Sequence, residues 1–131
     1  MKKVWSGLFI VCLVLVFAGC SSSKEDDNLT MDKFIEAFNN SGEDINHDVD
    51  SGVEKGIKKE KKPKYEMIDA KDGVIFNIAN NTVKIYEYES NSKAKKAVEK
   101  YASIMGDWPV KGNFMLETNN QKAKEIFNSV K

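Results

Sequence analysis

Two β-rich runs separated by a short asparagine turn constrain this chain more than any other feature in it. Val74, Phe76 and Ile78 alternate with Ile75, Asn77 and Ala79; Asn80-Asn81 then interrupts, and Val83, Ile85 and Tyr86-Glu87-Tyr88 follow. Alternation puts successive side chains on opposite faces of a strand, and asparagine tolerates turn backbone, so the segment predicts a β-hairpin opened by the Asp72-Gly73 turn. A two-stranded hairpin is marginal in water by itself. Its apolar face must be covered, and the flanking sequence has elements to cover it.

Upstream, the Thr30 hydroxyl can cap a helix on which Met31, Phe34, Ile35 and Phe38 recur at helical spacing, with Gly42 to end it. Downstream, Ser90 or Ser92 caps a second helix that carries Ala94, Ala97, Val98, Tyr101 and Met105 on one face before Gly106. Asp107-Trp108-Pro109 reads as a loop, and residues 112–117 as a strand with Phe114 and Leu116 on one side. A last helix follows a Thr118-Asn119 cap, with Ala123, Ile126, Phe127 and Val130 in phase. Residues 65–70 fit a short strand or one helical turn equally well. Together these elements predict an α+β fold with a small, mostly antiparallel sheet: the hairpin, one further strand and room for a fourth, covered by amphipathic helices on one face. Phe76, Ile85, Val98, Phe114 and Phe127 are the expected core.

Residues 43–62 resist this pattern. Acidic residues (Glu43, Asp44, Asp48, Asp50, Glu54) give way to basic ones (Lys55, Lys58, Lys59, Lys61, Lys62). Ile45, Val49, Val53 and Ile57 recur every four residues as on a narrow helical stripe, but Gly52 and Gly56 would each cost such a helix about 1 kcal/mol relative to alanine. The expectation is a mobile charged connection with at most a turn of helix.

The N-terminus speaks of location. Lys2 and Lys3 precede an apolar run over residues 7–17 and then Ala18-Gly19-Cys20. A membrane-spanning helix needs about 20 apolar residues and this run has about a dozen, so it reads as a secretory signal. Small residues directly before a cysteine resemble the lipobox of bacterial lipoproteins. That resemblance implies removal of residues 1–19 and lipidation of Cys20, whose acyl chains would hold the protein at the membrane. A polar tether over residues 20–29 would then lead to one domain over residues 30–131.

Taking residues 1–19 from the 131 leaves 112, enough for one domain, with 18 basic residues against 20 acidic. Every basic residue is lysine, so the guanidinium fork that grips phosphates and guanine edges is absent and nucleic-acid binding is not expected. Cys12 leaves with the signal and Cys20 is committed to lipid, so no disulfide is expected, and a monomer held by its core is.

Several candidate sites can be weighed. Residues 44–50 place oxygen ligands at alternate positions, as a calcium loop does, but Val49 stands where the sharp turn needs glycine and Lys55 where a bidentate glutamate should close it. His47, the one histidine, falls in the poorly patterned segment, which argues against a catalytic role. Glu87 or Glu89 beside Tyr86 and Tyr88 would serve a small hydrolase, although an ordinary strand face explains them better. No phosphate loop, zinc cluster or cofactor motif is legible, and an enzyme is not expected. The basic tract over residues 55–64 lacks interleaved aromatic or leucine side chains, so a solvated linker explains it better than membrane docking.

Residues 72–76, 84–90 and 112–114, around a lysine-rich helix, are similar to those of small exported lipoproteins of Gram-positive bacteria. The resemblance implies fold and location and brings no catalytic site. The expected role is a lipid-anchored binding or interaction module at the outer face of the cell membrane, with another envelope or exported protein as ligand. An inhibitor or immunity-type lipoprotein against an exported enzyme or toxin is the alternative.

Overall fold

The hairpin forms the middle of the sheet. In the computed structural model, which describes residues 28–131, β3 (Asp72–Ile78) pairs with β4 (Asn81–Glu87) from Asp72 opposite Glu87 to Ile78 opposite Asn81. Its turn residues are therefore Ala79 and Asn80, one position earlier than the asparagine pair suggests, and Ala79 adopts a left-handed φ of 51°. Ala79 is held there by hydrogen bonds from both of its peptide groups: its N–H donates to Asp44 O (2.8 Å), and its carbonyl accepts from Asn46 Nδ2 (3.2 Å).

Four more strands extend this centre. β1 (Ile45–Val49), β2 (Gly52–Lys55), β5 (Val110–Lys111) and β6 (Phe114–Glu117) complete a six-stranded, fully antiparallel sheet of order β2-β1-β3-β4-β6-β5. The α+β class stands as expected, and the sheet is larger than the three or four strands foreseen. The difference lies mainly in residues 43–62, expected as a mobile connection and found to carry the β1–β2 hairpin. A repeat of four is also a multiple of two, so the spacing of Ile45 and Val49 suits a strand as well as a helix. Gly52 (φ 144°) and Gly56 (φ 86°) have backbone that a helix would forbid.

The register assigns two faces. Val74, Phe76, Ile78, Val83, Ile85, Phe114 and Leu116 share the first, covered by α1 (Met31–Asn39) and α4 (Gln121–Ser129). Phe34 sits against Phe114 and Phe127 at 4.7 and 4.9 Å between ring centroids, and Phe38 meets Phe76 edge-on at 4.9 Å. Tyr86, Tyr88 and Met115 point to the second face, beneath α2 (Asn91–Lys100), α3 (Ala102–Met105) and a 3₁₀ turn (Tyr65–Ile68). Helices thus lie on both faces, not on one as the element order suggested. Four of the five expected core residues are essentially inaccessible; Val98 is partly buried against the second cluster.

Caps define the helix starts. Thr30 and Ser90 accept from the N–H groups of Lys33 and Lys93, as their sequence positions promise. For α4 the cap is Asn120, accepting from Ala123 N, while Thr118 accepts from Asn120 N just before it. The basic tract runs along the β3 edge that β1 leaves bare: Ile75 N–H donates to Lys61 O (3.0 Å) and Lys59 and Lys62 pair with Asp32 and Asp72. A Cβ on Gly73 would come within 2.9 Å of Pro63 Cγ, so this contact is close. Leu29, assigned to the tether by sequence, is buried in the first core.

The two ends of the sheet differ in what they carry. Thr30 and Met31, where the chain joins the domain, lie with Asp72, Gly73 and Glu87 at the near end. The Ala79–Asn80 turn marks the far end.

Candidate functional site

The second face is covered only in part. Beyond the helices, toward the far end, a groove of about 490 Å³ is lined by Asn80, Asn81, Thr82, Lys84, Trp108, Glu117, Thr118 and Asn119. Its floor exists because β4 and β6 pair Lys84 opposite Glu117, setting both side chains on the same face. Lys84 Nζ lies 3.2 Å from Glu117 Oε2, and Tyr86 Oη donates to Glu117 Oε1 at 2.8 Å. Both carboxylate oxygens are thereby engaged. Burial, reinforced by the Glu117 carboxylate, pushes the Tyr86 phenol well above its ordinary pKa, so it remains a donor.

Trp108 forms one wall. Its ring lies nearly parallel to that of Tyr86, 6.1 Å away at 7°, so the indole seals the edge of the second core while bordering the groove. Among the described residues the side-chain amides of Asn80, Asn81 and Asn119 have no hydrogen-bond partner. They can each donate and accept.

A second limb of about 330 Å³ continues past Asn80 and Thr82 to Asp44, Asn46, Asp48, Val53 and Asn77. Here the amides are committed. Asn77 Nδ2 donates to Asn46 Oδ1 and Asp48 Oδ1 (3.3 Å each), while Asn46 Nδ2 donates to the Asp44 and Ala79 carbonyls. The whole surface offers directional donors and acceptors on a braced floor, which suits recognition of a polar ligand.

The residues weighed from sequence are placed elsewhere or differently. Cys20 and the signal segment lie outside the described residues. Asp44, Asn46 and Asp48 stand on one side of β1, not around a loop, and no cluster of three or more His, Cys, Asp or Glu suited to a metal ion is present among the described residues. His47 is 2% exposed; its Nδ1 lies 2.8 Å from Gly56 O and its Nε2 3.6 Å from Glu54 Oε2, a bracing position between β1 and β2. Tyr86 and Tyr88 are buried, not on an exposed strand face, whereas Glu87 and Glu89 face Lys71 and Lys93 at 3.7 and 2.8 Å. No helix among the described residues is long and apolar enough to cross a membrane.

Sequence reasoning missed the groove. Its signal was two polar runs, Asn80-Asn81-Thr82 and Thr118-Asn119, each read as turn or cap chemistry. Only the β4–β6 register brings them together. No protein-family model, curated protein or solved structure matches the chain.

Proposed function

We propose that the protein is a lipid-anchored binding module at the outer face of the cell membrane, attached through Cys20 and without catalytic activity, and that the groove is where it meets a component of the envelope. The observation that carries this reading is the placement of the groove. The chain joins the domain at the near end, beside Asp72 and Glu87, and the amide-lined surface runs over the second face from the Ala79–Asn80 turn at the far end back to Lys84. A tether at the near end would put the groove in the half of the sheet farther from the bilayer.

Two variants test it. Cys20→Ala should abolish lipid attachment and shift the protein out of the detergent phase; unchanged partitioning would overturn the anchor. In Asn119→Cys the new thiol would be the only free one once Cys20 is acylated. A membrane-impermeant maleimide should label it in intact cells, and labelling only after lysis would place the domain on the wrong side of the membrane.

A further inference from the structure

We infer that the groove binds an N-acetylated glycan strand of the cell wall, with Trp108 as the stacking surface and Asn80, Asn81 and Asn119 as the groups that read its acetamido and hydroxyl substituents. This rests on the envelope placement proposed above and replaces the protein ligand expected from sequence.

The lining selects among ligand chemistries. A protein partner calls for a desolvated apolar and aromatic centre within the interface. Among the described residues the large exposed apolar side chains are Val53, Met67 and Ile104, and of these only Val53 borders the surface, at the outer end of its second limb. Among the described residues the 490 Å³ groove is lined by one aromatic side chain, Trp108, amid amides, hydroxyls and the Lys84–Glu117 pair. A polyanion is disfavoured too. Lys84, the one cation lining the groove among the described residues, is neutralised by Glu117, and the adjoining limb adds Asp44 and Asp48. The complement of such a surface is a neutral chain rich in hydroxyl and amide groups.

Sugar rings meet this description in two ways. Their axial C–H faces lie flat on the electron-rich face of an indole, and Trp108 is held against Tyr86 in a fixed orientation beside the groove. Their acetamido groups need both a donor and an acceptor at each contact, which an asparagine amide supplies. The three asparagines have no competing partners among the described residues, while the floor beneath them is tied by Tyr86, Glu117 and Lys84. Ligand binding would therefore require little rearrangement. The groove also lies toward the end of the sheet opposite the one that would be tethered, on the side where wall strands lie relative to the membrane.

The test uses the mature lipidated protein in detergent micelles, titrated calorimetrically with a linear hexamer of N-acetylglucosamine and, separately, with maltohexaose. Saturable binding of the N-acetylated hexamer at sub-millimolar concentration is expected, at least tenfold tighter than maltohexaose and unchanged by added salt. Trp108→Ala should weaken it tenfold or more. Because Trp108 also packs on Tyr86, the exposed pair Asn81→Ala and Asn119→Ala provides a second probe and should weaken binding at least fivefold with an unaltered melting temperature. Lys95→Ala, on α2, should bind as the parent does. Absence of saturable binding at millimolar hexamer, equal affinity for maltohexaose, or full affinity in the double asparagine variant would each overturn the inference. Failure of binding with the Asn119→Cys label still accessible in intact cells would strike the glycan alone and leave the envelope reading standing.

Discussion

On the first face of the sheet five phenylalanines pack against each other between α1 and α4; on the second, tyrosines, methionines and alanines take their place. The rings of the first face carry no polar atoms and must be wholly enclosed. Those of the second keep a polar handle: Tyr86 Oη donates to Glu117, Tyr88 Oη to Ile68 O at 2.9 Å, and Tyr101 Oη to Asp69 at 3.1 Å. A layer built this way can stop partway across a sheet, because its boundary residues tolerate water on one side. Trp108 is that boundary, and the groove begins where the layer ends. The contrast sets one face wholly enclosed against another covered only in part, and the groove proposed above as a binding surface lies on the second.

The sharpest way to break this comparison is Phe34→Ala. Removing a ring enclosed by Phe114 and Phe127 should cost about 3–5 kcal/mol, read as a fall in the urea midpoint. A midpoint unchanged would mean that the first face does not hold the domain together.

Tyr88→Phe probes the polar handles of the second face. It keeps the ring but strands the Ile68 carbonyl, for an expected loss of about 1–3 kcal/mol. Burial pushes the Tyr88 phenol up to about 12 and raises Tyr86 as well. The stability from these raised values is fully present below the unfolded pKa of 10.0. Above it the unfolded chain has given up protons that the folded one retains, so stability falls as pH rises toward 12. Urea midpoints between pH 9 and about 12 should decline steeply in the parent and less steeply in Tyr88→Phe. Equal slopes would place the phenol outside the core.

The smallest effect belongs to Asp69→Asn. Lys100, and then Tyr101, hold this exposed carboxyl below its ordinary range, so its contribution is present above the ordinary carboxylate pKa and disappears as pH falls through the lowered one. Exposed pairs contribute little and are screened by salt. A slight drop in midpoint at neutral pH should vanish in concentrated salt; a loss as large as that of Tyr88→Phe would make the surface link a main support of the helical layer.

The parts of the fold that could be read in sequence are those governed by one short-range rule. Val74 to Ile78 and Val83 to Tyr88 alternate on either side of one short turn, Thr30 and Ser90 cap where they stand, and Phe34, Phe38, Phe114 and Phe127 fall on the faces their spacing assigns. The β1–β2 hairpin escaped because a spacing of four serves two periods and because Asn46 and His47 are polar residues whose partners, Ala79 and Gly56, lie outside their own strand. Coverage of the second face was hidden for a related reason: Tyr86 and Met115 reveal their common side only through the strand register. The groove is harder still, since an asparagine that closes a turn and one that lines a groove look alike until the strands are paired.

The strand order has a consequence for how the chain finds its structure. Read in pairs across the sheet, β2-β1, β3-β4 and β6-β5 are each joined by two residues: Asp50-Ser51, Ala79-Asn80 and Gly112-Asn113. Hairpins of this size close in about 1–10 μs. The sheet is thus three locally formed units meeting at two seams, β1 against β3 and β4 against β6, and only the seams require ends far apart in the chain to meet. Because the entropy lost on closing a flexible loop grows only logarithmically with its length, the intervening segments can lengthen or shorten at modest cost to assembly speed. The expectation is that closing the two seams, more than forming any one hairpin, sets the tempo of folding.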